Sequence, residues 1–292
     1  MLRPGRLQHR LLVAAFSRGQ AACADASLYV WGWTRRADAP SFRGYRPLGT
    51  QAAMSASVPV GISVVMPLYN EGARITSNVE QTLGVLRMLG PFEIILVNDG
   101  SSDNSEEEIT RLAEKFPEEI VSLQLPRSGK GEALRRGAQR ARGEFVVFID
   151  ADLDLPPEQI LFFIAIQRVK KADAVIGSKM HPDSTVEYPL LRRIYSLGYF
   201  WLVKFLFGLP VRDTQTGLKL VRRDLLLKAL DQTESCGFTL ALELLVRLVQ
   251  LGAVMVEAPV VVQHSFKFGG IGVGTVWQIF RDTWSVWRRV QG

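Results

Sequence analysis

Residues 145–154 read FVVFIDADLD: an apolar run, then acids at 150, 152 and 154. A short run rich in Val, Ile and Phe reads as a strand buried on both faces. Alternate residues of an extended segment share a side, so Asp152 and Asp154 face one point just past that strand. The same grammar recurs on both sides of it. Upstream, 62–67 (ISVVMP), 93–99 (EIILVND) and 120–125 (IVSLQL) read as strands, and downstream so does 174–178 (AVIGS). Between them, residues 75–89, the acidic segment through Phe116, 131–142 and 156–171 read as helices. GSSDNSEEE supplies caps and first-turn acids for the second of these. Strands alternating with helices predict an α/β fold, a mostly parallel sheet covered on both faces. Ligands of such sheets sit beyond the carboxyl ends of the strands. The polar motifs fall there: YNE after the first strand, NDGS after the second and DADLD after the fourth.

The later chain changes character. Residues 192–209 read as a long aromatic helix, 237–251 as another helix and 253–263 as a strand. A Gly-rich loop (269–274) and a Trp-rich end follow, with no internal repeat.

Composition narrows the options. Of 292 residues, 47% are hydrophobic and 22% charged, an ordinary globular balance. The net charge of +6 is unevenly placed. Residues 1–53 hold eight of the 35 basic residues and two of the 29 acidic ones, so the rest carries 27 of each. A neutral body removes the support for a nucleic-acid partner. Cys23 and Cys236 are too few for a disulfide scaffold or a Cys-rich zinc site. No run of 18 apolar residues marks a membrane span. Residues 1–57 read as a disordered leader, a targeting segment or sequence upstream of a start at Met54.

Four motifs carry candidate chemistry. The oxygen donors of DADLD suit Mg²⁺ or Mn²⁺, which completes its shell with substrate phosphates. The same acids also suit a solvated turn before Pro156 and Pro157. In VNDGSSD (97–103), Asp99 at a strand end can bond a base or ribose; the segment also suits a capped helix start. PLYNE (67–71) reads as a functional loop or as a turn with Asn at a permissive position. In GKGEALRRG (129–137), Lys130 ahead of a helix can meet a diphosphate. The Walker spacing is absent, because Gly131 follows Lys130. His181 and His264 lack a second His at metal spacing and read as surface or core residues.

Taken in order, PxYNE, NDGSxD, GKGxAxRxG and DAD resemble the family 2 nucleotide-sugar glycosyltransferases. RDTQTGLKL (212–220) makes the chain similar to their polyprenyl-phosphate branch, the dolichyl-phosphate mannose synthases and glucosyltransferases. The resemblance spans roughly Ile62 to Gln291. It implies a single Rossmann-like domain of the glycosyltransferase A type (58–270) with amphipathic, interfacial C-terminal helices, the last within 271–292. It implies inverting transfer of a sugar from a GDP-mannose or UDP-glucose type donor to a polyprenyl phosphate, dependent on Mg²⁺ or Mn²⁺. The location implied is peripheral, on the cytoplasmic face of a membrane.

Residue by residue, the resemblance points to Pro67, Tyr69, Glu71 and Asp99 for the nucleotide. It points to Asp150, Asp152 and Asp154 for the diphosphate, with Asp152 and Asp154 on the metal. Asp213, Gln215 and Thr216 fall near donor and acceptor phosphates, and Arg192 with Ser196 on the acceptor phosphate. Asp152, Arg192 and Gln215 are the expected catalytic residues. Where mannose synthases often place Gln, this chain has Asp154. Where relatives carry Ser-Arg after the fifth strand, it has Ser178–Lys179, a cation without a bidentate fork.

One departure bears on the acceptor. Relatives commonly carry Phe-Asp-x-Glu-Leu-Leu on the helix after QTG, and here Ala241 stands in the acid's place. A sugar hydroxyl needs a base to take its proton. A phosphate monoester does not, because its second pKa is about 6. Glu243 stays open as a base or as a structural residue. The remaining alternatives are a soluble or polysaccharide acceptor, and a catalytically inactive nucleotide-sugar binder serving as a membrane scaffold.

Trp277, Phe280, Trp284 and Trp287 form one helical stripe flanked by Arg281, Arg288 and Arg289. The stripe suits either a headgroup layer or packing on the core. Residues 194–209 are a second candidate surface, with Lys204 placed to snorkel.

Overall fold

The computed structural model describes residues 61–186, 190–235, 237–263 and 273–291; the side chains of 190–194, 238 and 273–278 lie outside that description. Within it the elements run β1 (Ile62–Leu68), α1 (Ile75–Leu86), β2 (Phe92–Asp99), α2 (Ser105–Lys115), β3 (Ile120–Leu125), α3 (Lys130–Arg140), β4 (Phe145–Phe148), α4 (Gln159–Lys170) and β5 (Ala174–Ser178). There follow α5 (Leu190–Phe207), β6 (Lys219–Arg222), α6 (Arg223–Asp231), a 3₁₀ turn (Gly237–Thr239), α7 (Leu240–Gln250), β7 (Met255–Pro259) and α8 (Val273–Gln291).

The strands form one sheet in the order β3-β2-β1-β4-β6-β5-β7. Ile62 lies opposite both Phe92 and Phe145, so β1, β2 and β4 run in parallel and begin level. Their carboxyl ends therefore open on one edge, where the polar motifs collect. The expected mostly parallel α/β architecture is present. The difference is β6, which pairs antiparallel with both β4 and β5. Its four residues are too few to display a period, and its place depends on two partners far along the chain.

Both faces of the sheet are covered. Val64, Met66, Ile94, Leu96 and Val147 pack with Ile75 and Leu83 of α1, Ile109 of α2 and Phe163 of α4. Val65, Ile95, Val97, Val146 and Phe148 pack with Ala133 and Ala138 of α3, Leu226 of α6 and Leu245 of α7. Small residues let α3 approach closely. A Cβ at Gly137 would lie 2.3 Å from Val65 Cγ1.

Candidate active site

Two turns are laced together at the carboxyl ends of β1 and β2. Asn70 sits at φ 56°, the left-handed region that Asn tolerates better than most residues. Its Oδ1 accepts from the Ser102 amide (2.8 Å), while its own amide donates to Ser101 Oγ (2.9 Å). The Glu71 amide donates to Ser105 Oγ (2.9 Å) and the Gly72 amide to Asp103 Oδ2 (3.0 Å). Ser105's hydroxyl and the surrounding amides hold Asp103 below its usual pKa. The DGSSD segment thus braces the YNE turn as well as starting α2. Glu71 pairs with Arg74 at 3.1 Å, and burial raises its carboxyl above the ordinary range.

Pro67, Tyr69, Glu71, Asp99, Lys130, Asp150 and Asp152 line one cleft, together with Arg127. Asp99 is buried and its carboxylate is occupied. It accepts from the amides of Ser128 (2.7 Å) and Gly129 (3.0 Å) and from the Arg127 guanidinium. In this structure Asp99 therefore holds the 127–129 turn, with Gly129 at φ 91°. The turn seats Arg127 over the Tyr69 ring, 3.5 Å from its centroid. Sequence reading did not single out Arg127. Its only signal was a cation two residues before GKG, just past the end of a strand.

Lys130 is the first residue of α3, and its Nζ lies 2.6 Å from Asp150 Oδ1. Asp150 also rests against Gly217, where a Cβ would come within 2.3 Å of Oδ2. The glycine of QTG is thus required by an acid of DAD. Within DADLD, Leu153 takes φ 51° and is buried in the core, while Asp152 Oδ1 accepts the Asp154 amide at 3.2 Å. Left-handed backbone is costly for a residue of this kind. Burial raises the Asp152 carboxyl, and the negative charges of Asp154 and Asp150 add to the effect. Among the described residues, no three Asp, Glu, His or Cys side chains are grouped to hold an ion unaided. The oxygen donors of Asp152 and Asp154 fit a hard divalent cation that takes its remaining ligands from a substrate.

The loop that carries QTG is organised by Asp213. Its Oδ1 accepts the amides of Gln215 (2.9 Å) and Thr216 (3.2 Å); its Oδ2 accepts the Lys179 amide (3.0 Å) and the Thr216 hydroxyl. Asp213 thus ties the loop to the end of β5. Beneath it lies Lys219, a residue that sequence reading passed over. Buried, it donates to the Thr216 carbonyl, and burial pulls its ammonium down to about 8.

Ser196 is half-buried on α5, and the Arg192 side chain lies outside the described residues. Glu243 is resolved as structural. It has no exposed surface and accepts the amides of Glu234 (3.3 Å) and Ser235 (3.1 Å). Arg247 and Arg289 approach it at 3.8 and 3.5 Å. Arg289 therefore anchors α8 to α7 instead of facing outward as a flanking cation. Lys204 likewise does not extend away: its Nζ donates to the Leu209 carbonyl at 3.0 Å.

Comparison with known proteins gives this arrangement its family. The chain is 31% identical over 218 residues to the glycosyltransferase AglD of Haloferax volcanii, covering 74% of this chain and 35% of that one. It is 33% identical over 172 residues to the dolichyl-phosphate beta-glucosyltransferase ALG5C of Trichomonas vaginalis, covering 55% and 51%. It thus spans between about a third and a half of the curated relatives it matches. Glucosyl-3-phosphoglycerate synthase of Mycobacterium tuberculosis, in complex with Mn²⁺ and UDP-glucose, has the same fold at a TM-score of 0.57 and 20% identity, over 78% of this chain and 79% of that one. The model of glycosyl transferase family 2 matches residues 63–229, more than half of the chain. With its motifs gathered at one sheet edge, the chain belongs to glycosyl transferase family 2.

Proposed function

We propose that this chain is an inverting glycosyltransferase that moves a sugar from a nucleotide diphosphate donor to a polyprenyl phosphate at a membrane surface. One observation carries the choice of acceptor. On α7, position 241 is Ala and the neighbouring Glu243 is locked among amides and arginines with no exposed surface. An acceptor that arrives as a phosphate oxyanion needs no carboxylate there to take a proton.

The donor would lie in the cleft, its nucleotide near Pro67, Tyr69 and Arg127 and its diphosphate near Lys130 and the acids. Asp152 and Asp154 would hold Mg²⁺ or Mn²⁺, which offsets the charge on the departing diphosphate. An oxygen of the lipid phosphate attacks the anomeric carbon. The bond to the diphosphate breaks, and its electron pair leaves with the nucleotide. The residues on the 213–217 loop orient the two phosphates, and rate is gained by positioning and charge stabilisation. The names of the polyprenyl-phosphate relatives support this reading. Among them is the undecaprenyl-phosphate 4-deoxy-4-formamido-L-arabinose transferase of Pectobacterium carotovorum, 45% identical over 101 residues, 34% of this chain and 31% of that one.

The surface beside the site supports the membrane. Leu197, Trp201 and Phe205 recur every four residues on α5, with Trp201 65% and Phe205 88% exposed. On α8, Phe280 and Trp284 are exposed, their rings 6.4 Å apart and stacked. Thr283 and Val286 fill the inner face of the same helix. Exposed aromatics on two packed helices suit the headgroup layer. Among the described residues, no helix is long and apolar enough to cross a membrane.

The test is transfer from labelled UDP- and GDP-sugars, with Mg²⁺ or Mn²⁺, into a butanol-extractable product on adding polyprenyl phosphate. Wild-type enzyme is expected to label the lipid, and Asp152→Ala to lose at least about 10³-fold in turnover. Label in a water-soluble product would move the acceptor to a soluble molecule. Normal turnover by Asp152→Ala would overturn the metal assignment.

A further inference from the structure

The acids of DADLD sit on a turn that is braced from outside. The sheet ladder ends with the Ile149 amide on the Val65 carbonyl at 3.2 Å. The chain then closes a turn, with the Leu153 amide on the Asp150 carbonyl at 3.2 Å and Leu153 in the left-handed region. Such a backbone persists only where its surroundings over-determine it. Past the ladder, the carbonyls of the turn also need partners from elsewhere. Two distant segments supply them, one to Ala151 and one to Asp154.

The first tie comes from α1. Ile75, Val79, Thr82, Leu83 and Leu86 are buried on that helix. Asn78 stands on the same face, three residues from Ile75 and four from Thr82. A polar amide in such a place needs a partner. Its Nδ2 donates to the Ala151 carbonyl at 2.8 Å, at the centre of DAD.

The second tie comes from the segment after β7. The Gln263 amide donates to the Asp154 carbonyl at 3.0 Å. That segment is held on both edges. Gln159, the first residue of α4, takes both backbone groups of Val261: its Nε2 donates to the carbonyl at 2.9 Å, and its Oε1 accepts the amide at 2.8 Å. On the other edge, the Thr185 amide donates to the Val260 carbonyl (3.0 Å) and the Thr185 carbonyl accepts the Val262 amide (3.1 Å). Asn78 and Gln159 thus act on the acid turn from two helices, and neither lines the cleft.

Two carboxylates that share one cation repel each other until it arrives. A site with so few protein ligands gains from having them fixed beforehand, and Mg²⁺ above all demands near-ideal geometry. We propose that Asn78 and Gln159 are positioning residues that set Asp152 and Asp154 for the divalent cation. This rests on the metal assignment above. It places part of the site's affinity in side chains that never touch the ion.

The experiment is a Mn²⁺ titration of the full chain, read from the paramagnetic resonance of the free ion, with each variant's thermal midpoint measured alongside. Asn78→Leu keeps roughly the side chain's shape and deletes the donor. Gln159→Met deletes both bonds to Val261. Each is expected to weaken Mn²⁺ binding about tenfold, the scale of losing a group that orients a metal ligand, at a temperature where the variant stays folded. Turnover lost at low Mn²⁺ is expected to return at saturating Mn²⁺. Gln81→Met is the control. Its amide, one turn further along α1, donates to Glu158 at 3.3 Å and not to the acid turn, so wild-type Mn²⁺ affinity is expected. Wild-type affinity in Asn78→Leu or Gln159→Met, even with a lower thermal midpoint, would overturn the proposal for that residue. An equal loss in Gln81→Met would overturn it for both, since helix packing and not the held carbonyls would then be the cause. If Asn78→Leu does not fold, Gln159→Met decides alone. A wild type that binds no more Mn²⁺ than Asp152→Ala would instead remove the metal assignment itself. That result is separable from a wild type that binds and positioning variants that equal it.

Discussion

Glu243 illustrates what a side chain's surroundings decide. On paper it was one of two carboxylate positions on a helix beside the QTG segment. In the fold it is an anion with no exposed surface, held by two amides and two arginines. Removing one partner of a buried charge cluster costs about 3–5 kcal/mol, since the other charges are left uncompensated. Glu243→Gln is therefore expected to lower the unfolding free energy by roughly that amount, read from denaturant titration, while kcat per folded molecule holds. Loss of kcat without loss of stability would return Glu243 to the chemistry. Lys219 gives a pH signature. Its ammonium titrates near 8 in the fold against an ordinary 10.5. Between those values the unfolded chain holds the proton that the folded chain has released, so stability rises with pH across the window. The melting-point difference, wild type minus Lys219→Met, is expected to shift in favour of wild type from pH 8 to 10.5; a shift the other way would contradict the burial argument. Asp99, Asp150 and Asp152 were legible because acids at strand ends stand out from an apolar run. Their partners were not. Nothing local to Asp99 announces that residues 127–129 will fill its oxygens, and nothing near Lys219 tells of its burial.

Elements were legible in proportion to their length and regularity. β3 and β5 fall where the apolar runs placed them, and α1 to α4 differ from expectation by a few residues at their ends. Strand β6 escaped because its inclusion is a tertiary event, decided by antiparallel pairing on both sides. Helix α8 was readable as amphipathic, but not which face would turn inward. Its small and β-branched residues, Thr283 and Val286, pack against the core, and Phe280 and Trp284 face out. Arg289 is spent on Glu243. The outward aromatics are expected to carry vesicle binding. Trp201→Asp with Trp284→Asp should reduce partitioning into anionic vesicles at least about tenfold, since each exposed indole is an interfacial anchor of about 1 kcal/mol or more. Thermal stability should hold, because both side chains already face solvent. Equal partitioning by wild type and double variant would detach these helices from the membrane.

The fold presents two surfaces to the proposed reaction. The proposed donor side is the charged cleft that Asp99, Lys130, Asp150 and Asp152 line. The proposed acceptor side is the aromatic face of α5 and α8. What connects them chemically is the absence, on α7, of a carboxylate free to deprotonate a hydroxyl. The most direct test offers the enzyme a labelled nucleotide sugar with a divalent cation and one of two acceptors in the same vesicles: a polyprenyl phosphate, or the matching polyprenol without its phosphate. Label entering the organic phase with the phosphate, and not with the alcohol, is the expected result. Comparable transfer to the alcohol would mean that a general base operates in this site, and would contradict the assignment of a lipid phosphate as the acceptor.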